Sequence, residues 1–288
     1  IIIKKWSVNF FMSISKVIKD AVTYPILDKK NWMIVGVFLI ICNLINVFMN
    51  LNRNGLIAII GLIAITVIII ILFGFNLSVT EYTIKGKTDY PKFNLTKNFM
   101  DGIKVVILGI IYYLIPTIIT LIIAWLSGLF TTLPQIVNTL INSPGSTQTI
   151  TSNGLRVSTI MVNNLTSTIS QSVLNSFING IVITSVCAII LLFIMTLFIF
   201  IGTGRMAETG SLKEGLAFKA IIKKIGSIGW GKYIAILIIF LIIIFILGII
   251  NSYLHLIPFI GRYINALFVT SFMFIFIYKI VGLIYNEG

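Results

Sequence analysis

The sequence predicts an all-α, polytopic helical membrane protein: six transmembrane helices arranged as three hairpins, each preceded by a basic amphipathic helix at the interface. Three observations predict it. Hydrophobic residues make up 58% of the 288-residue chain, charged residues only 10%, and the mean hydropathy is +1.09, well outside the range of a soluble globular domain. The apolar residues fall into runs of twenty or more, long enough to cross about 30 Å of hydrocarbon at 1.5 Å rise per residue. The Lys and Arg residues cluster in alternate gaps between those runs.

The runs lie at about 32–51, 55–80, 103–126, 179–202, 233–253 and 257–284 within a single membrane domain, 1–288. They lack the alternation of a barrel strand, and a spanning backbone in lipid must satisfy its own hydrogen bonds, so helices are expected. Before the first run, Trp6, Phe10, Phe11, Ile14, Val17, Ile18 and Ala21 share one helical arc, with Asn9, Lys16, Lys19 and Asp20 opposite. Lys4 and Lys5 lead into this amphipathic stretch rather than into a short apolar core with a cleavage site, which argues against a signal peptide.

Span one carries Asn43, Asn46 and Asn50 at i, i+3, i+7, and span two carries Asn76. This is a candidate polar path; the plainer expectation is hydrogen bonding between helices, modest at about 0.6 kcal/mol per contact. Before span three, KNFMDGIKVV places Phe99, Ile103 and Val106 on one face and Lys97, Asp101 and Lys104 elsewhere. Within that span, Pro116 removes a backbone donor and predicts a kink, with Thr117 and Thr120 able to satisfy nearby carbonyls.

Residues 127–178 form a polar outer segment. It contains the amphipathic pieces Leu133-Ile136-Val137-Leu140 and Val162-Leu165-Ile169-Val173, a linker-like centre at 142–154 and a glycosylation sequon at Asn164-Leu165-Thr166. The segment reads as an expanded loop or a ligand-facing lid. After span four, SLKEGLAFKAIIKKI (211–225) predicts a third interfacial helix. Phe218, Ile221, Ile222 and Ile225 make its apolar face, Lys213, Lys219, Lys223 and Lys224 lie away from it, and Ser211 with Glu214 has capping-box spacing. Between spans five and six, Pro258 to Gly261 marks a tight turn or a shallow re-entrant piece.

Orientation follows from charge. Eighteen of the 21 Lys and Arg fall on one side, with only Arg53, Arg156 and Arg262 on the other, and all eight acidic residues share the Lys-rich side. The positive-inside rule places both termini in the cytoplasm of a multi-pass cell-membrane protein. The net charge of +13 then belongs at the inner surface, where anionic lipid attracts it, and nucleic acid is not an expected partner.

No catalytic, cofactor or metal site is expected. The lone His255 reads as an interfacial polar tip, and Cys42 and Cys187 read as small apolar residues within spans. No acid lies within a span, which disfavours a proton relay or an intramembrane aspartyl protease, and no phosphate-binding loop motif occurs. Lys279, near the inner end of span six, is expected to snorkel.

DAVTYPILDKKNW (20–32), YPKFNLTKNFMDGIKVVILGIIYYLIP (90–116), RMAETGSLKEGLAFKAIIKKIGSIGWGKY (205–233) and IPFIGRYINAL (257–267) together resemble an uncharacterised, mainly archaeal family of integral membrane proteins, domain of unknown function 4013. The resemblance implies a cell-membrane location and carries over no catalytic residue. Two functions then compete. One is a non-enzymatic scaffold or partner subunit, joined to another protein or to copies of itself, whose basic helices engage the anionic inner leaflet. The other is a permease-like protein moving a neutral or amphiphilic solute past the Asn stripe.

Overall fold

The computed structural model describes residues 2–52, 54–87, 89–142 and 169–288, with side chains at 13–52, 54–87, 89–139 and 169–288. Among them helix is the only regular secondary structure. The helices are α1 (Ile2–Leu27), α2 (Lys29–Asn52), α3 (Gly55–Ile84), α4 (Leu95–Leu126), α5 (Leu129–Asn142), α6 (Gln171–Thr209), α7 (Leu212–Gly215), α8 (Phe218–Ile228), α9 (Trp230–His255), α10 (Gly261–Ile264) and α11 (Ser271–Asn286), with a π-helical turn at Asn265–Thr270 joining the last two. Six helical stretches are long and apolar enough to cross a membrane: α2, α3, α4, α6, α9 and the continuous run Gly261–Asn286.

Several boundaries differ from the sequence expectation. The basic stretch 97–106 is no separate helix but the first turns of α4, which runs as one helix from Leu95 to Leu126 although Pro116 removes a donor from its ladder. Thr117 Oγ1 donates to the Tyr113 carbonyl at 2.7 Å just past Pro116. The segment 211–225 is two helices, α7 and α8, divided at Leu216-Ala217. Ser211 makes no side-chain cap bond there, and the Glu214 carboxylate pairs with the partly buried Arg205 guanidinium. The outer segment contributes α5 and the start of α6, so the expected amphipathic piece 133–140 is helical. The sequon at Asn164, the linker centre from 143 onward, Arg53 and Arg156 lie outside the described residues.

The chain forms two compact units, Ile1–Ile110 with Thr196–Gly288, and Ile111–Met195. In the second, Ser127 Oγ lies 3.3 Å from Thr184 Oγ1, and Ala124, Thr132 and Ile136 are buried. The first is built around α3 and α11. Its core joins Val35, Leu39, Leu72, Phe75, Val79, Ala266 and Ile275, flanked by Phe38, Phe93 and Phe274. Phe93 stacks on Phe38 at 5.2 Å and tilts against Phe75 at 5.1 Å between ring centroids. Lipid tails are as apolar as these side chains, so close packing rather than burial from water holds such helices together. Glycine supplies that closeness: a Cβ at Gly74 would collide with the Asn98 carbonyl, and one at Gly102 with the Ile70 carbonyl. The backbones of α3 and the first turns of α4 therefore cross in direct contact.

The first unit has two distinguishable ends. Ser13 Oγ donates to Glu287 at 2.8 Å, Lys224 to the Gly288 carbonyl at 2.6 Å and Asn286 Nδ2 to the Thr83 carbonyl at 2.9 Å, so α1, α3, α8 and α11 meet at one, the terminal end. The late part of α2 meets the turn between α9 and α10 at the other, the cavity end.

Candidate functional site

At the terminal end, the apolar stripes expected to face lipid are partly consumed in packing. Ile14, Val17 and Ala21 of α1 are buried, and so are Ile221, Ile225 and Ile228 of α8, while Phe218 and Ile222 stay exposed. Gly229, at φ 91, provides the left-handed backbone that turns α8 directly into α9. Lys16, Lys19, Lys213, Lys219 and Lys223 are exposed and make no ion pair among the described residues. The other three lysines of the expected basic surface are engaged: Lys97 pairs with Glu81 at 2.9 Å, Lys104 with Asp101 at 2.9 Å, and Lys224 lies 4.4 Å over the Tyr285 ring. Lys279, near the inner end of the last span, sits 4.2 Å above the Tyr24 ring.

Most acids here are partnered. Glu81 takes Lys85 as well as Lys97, Glu287 takes Lys232, and Glu208 accepts the Tyr285 hydroxyl at 2.6 Å. Asp28, 3% exposed, begins α2: its carboxylate accepts from the Asn31 backbone at 3.3 Å and the Asn31 side chain at 2.8 Å, and Asn31 also donates to the Pro91 carbonyl at 3.1 Å. Burial raises the Asp28 pKa above the ordinary aspartate value, against the lowering effect of these bonds and of Lys30. Burial, followed by the neighbouring Asp28 carboxylate, likewise pushes the Tyr24 hydroxyl well above the usual phenol range.

At the cavity end, Asn43, Asn46, His255, Ile257, Pro258, Phe259 and Arg262 line a cavity of about 260 Å³. Two of the four residues of the candidate polar path thus face it, and two do not. Asn50 donates to Asn46 Oδ1 at 2.7 Å and to its carbonyl at 2.9 Å, and Asn43 donates to the Leu39 carbonyl at 3.1 Å. These bonds stay within α2, so the expected interhelical bonding by the stripe is not what forms; a carbonyl one turn back is the nearer acceptor. Asn76 is fully buried outside this cavity's lining, with neither amide atom hydrogen-bonded among the described residues, and Asn98 is the same.

Behind the cavity lies a network that sequence reasoning missed. Asn265 Nδ2 donates to Asn251 Oδ1 and lies 3.5 Å from His255 Nδ1, while His255 Nδ1 is 2.8 Å from the Asn251 carbonyl. Asn265 is buried with its Oδ1 unbonded, at the start of the π-helical turn. The available signals are weak: Asn251 and His255 stand one helical turn apart, and Arg262 is a cation in a stretch otherwise poor in charge.

Six spanning helices, paired charge at one end and a polar cavity at the other define a multi-pass integral membrane protein. The family profile described as "Protein of unknown function (DUF4013)" matches residues 55–256, and the chain belongs to that family. Comparison with curated proteins and with solved structures gave no match.

Proposed function

We propose that this protein is a non-enzymatic membrane scaffold or partner subunit whose terminal end lies at the cytoplasmic surface and engages anionic lipid. One observation carries the reading: Lys16, Lys19, Lys213, Lys219 and Lys223 stand exposed and without an ion pair among the described residues, although this same end holds the chain's acidic residues. Each lysine near an anionic surface contributes about 1 kcal/mol of attraction. The carboxylates of Glu81, Asp101, Glu214 and Glu287 are taken by Lys85, Lys97, Lys104, Arg205 and Lys232, and Asp20, one turn from Lys16, pairs with none of the five.

The test is lipid enrichment around the full chain reconstituted in mixed phosphatidylglycerol and phosphatidylcholine. The expected result is phosphatidylglycerol enrichment that falls severalfold when the five lysines are changed to Gln. Equal enrichment in both proteins would overturn the lipid reading, and a stoichiometric protein partner lost with the same lysines would favour the subunit form. A second reading, passage of a neutral or amphiphilic solute, has one observation in its favour: Asn43 and Asn46 open into the cavity. Solute flux in vesicles that disappears on Asn46→Leu would support it.

A further inference from the structure

We propose that the cavity at the turn between α9 and α10 binds a phosphate ester that carries a neighbouring hydroxyl, and that its source is the headgroup of a membrane lipid. The lining holds one fixed cation, Arg262, whose guanidinium fork suits phosphate oxygens, and none of the chain's eight acidic residues lines the cavity to neutralise it. Asn43 and Asn46 add amide donors: one Asn43 hydrogen goes to Leu39, and Asn46 uses its Oδ1 to accept from Asn50, which leaves its NH2 for the cavity. A phosphate is acceptor-rich and matches this set.

His255 sets the second requirement. Its Nδ1 lies 2.8 Å from the Asn251 carbonyl, which can only accept, and 3.5 Å from the Asn265 amide, so the shorter contact assigns the neutral ring's proton to Nδ1. Nε2 is then the remaining polar atom of the imidazole, and it is an acceptor. A phosphate oxygen does not satisfy an acceptor, whereas a hydroxyl does. The combination of donors at Arg262, Asn43 and Asn46 with an acceptor at His255 selects a phosphate next to a polyol rather than next to a quaternary amine.

Size and surroundings point to a lipid. At about 260 Å³ the cavity lies just below the range of pockets for drug-sized ligands, about 300–1,000 Å³, and has room for a headgroup but not for acyl chains. Its rim continues into exposed apolar surface at the turn, Leu256, Ile257, Phe259 and Ile260, with Phe259 86% exposed. Phe259 also has φ 61, a left-handed backbone that a bulky side chain adopts only under strain. The turn thus holds an aromatic ring outward at the mouth of a cationic cavity, where acyl chains would lie against it.

The experiment uses the full chain in mild detergent, with phosphatidylglycerol, phosphatidylcholine or sn-glycerol 3-phosphate added and bound species counted by native mass spectrometry. The expected result is one retained phosphatidylglycerol per chain, preferred over phosphatidylcholine, with retention at least tenfold weaker in Arg262→Gln, and the same tenfold ratio when both chains are compared in the background of the five-lysine variant of the terminal end. Asn46→Leu, at an exposed position, is the second variant and should weaken retention at least threefold. His255→Leu should remove the preference for the hydroxylated headgroup while phosphate binding persists. Displacement of the lipid by sn-glycerol 3-phosphate at micromolar concentration would keep the chemistry and assign it to a soluble ester. No stoichiometric phospholipid on the wild-type chain, or full retention by Arg262→Gln and Asn46→Leu, would overturn the site. Loss only in the five-lysine variant would overturn it too, while sustaining the lipid reading of the terminal end.

Discussion

The two ends of the first unit treat charge in opposite ways. At the terminal end Glu81, Asp101, Glu214 and Glu287 each hold a Lys or Arg within 4 Å, and Asp28 is hydrogen-bonded to Asn31. At the cavity end His255 and Arg262 face a space lined by no acid. Partnered charge at a helix junction orders the junction, whereas cation left without a counterion at a cavity is chemistry awaiting a ligand. The difference separates paired charges that hold this protein together from cations available to act, which are the five exposed lysines at the terminal end and Arg262 at the cavity end.

Four expected outcomes sharpen or break that contrast. Gly102→Val, which pushes a side chain into the Ile70 carbonyl between the two ends, should lower stability by about 3 kcal/mol and shift thermal unfolding in detergent most of all. Glu287→Ala strips the partner from Lys232, whose side chain is only 19% exposed, and from Ser13; a loss of about 1–2 kcal/mol is expected in the same assay. Arg262→Gln should move stability by less than about 0.5 kcal/mol, because no ion pair is broken among the described residues. If it destabilises as much as Glu287→Ala, the cavity cation is structural and the contrast fails.

The smallest effect is a pH dependence. The folded-state pKa of Asp28 is raised, so the stability it contributes is present below its unfolded value of about 3.9 and is lost as pH rises through the folded value. Wild type should therefore gain on Asp28→Asn as pH falls from 7 towards 4. A difference that is flat, or that grows in the other direction, would mean that the Asn31 bonds outweigh burial at this carboxylate.

The spans were legible because each is a long uninterrupted apolar run, and hydrocarbon thickness converts run length directly into a spanning helix. The amphipathic character of α1 and α8 was equally plain, but its destination was not. Periodicity cannot distinguish a face turned to lipid from one turned to protein, and Val17, Ala21, Ile221 and Ile225 proved to be packed. The break at Leu216-Ala217 follows Gly215, a weak helix former inside a stretch whose apolar periodicity reads as continuous. Half of the cavity was visible as the Asn43-Asn46 stripe. The other half stands far along the chain at His255 and Arg262, and only the packing of α2 beside the π-helical turn joins them.

The crossing at Gly74 and Gly102 has a mechanical corollary. Two helices whose backbones touch cannot roll about their axes or slide past one another without lifting apart first, so α3 and the first turns of α4 move as one girder. Any working stroke in this part of the protein then belongs to the elements bearing on that girder, and the π-helical turn, with its loosened hydrogen-bond register, is where such a stroke would find its pivot.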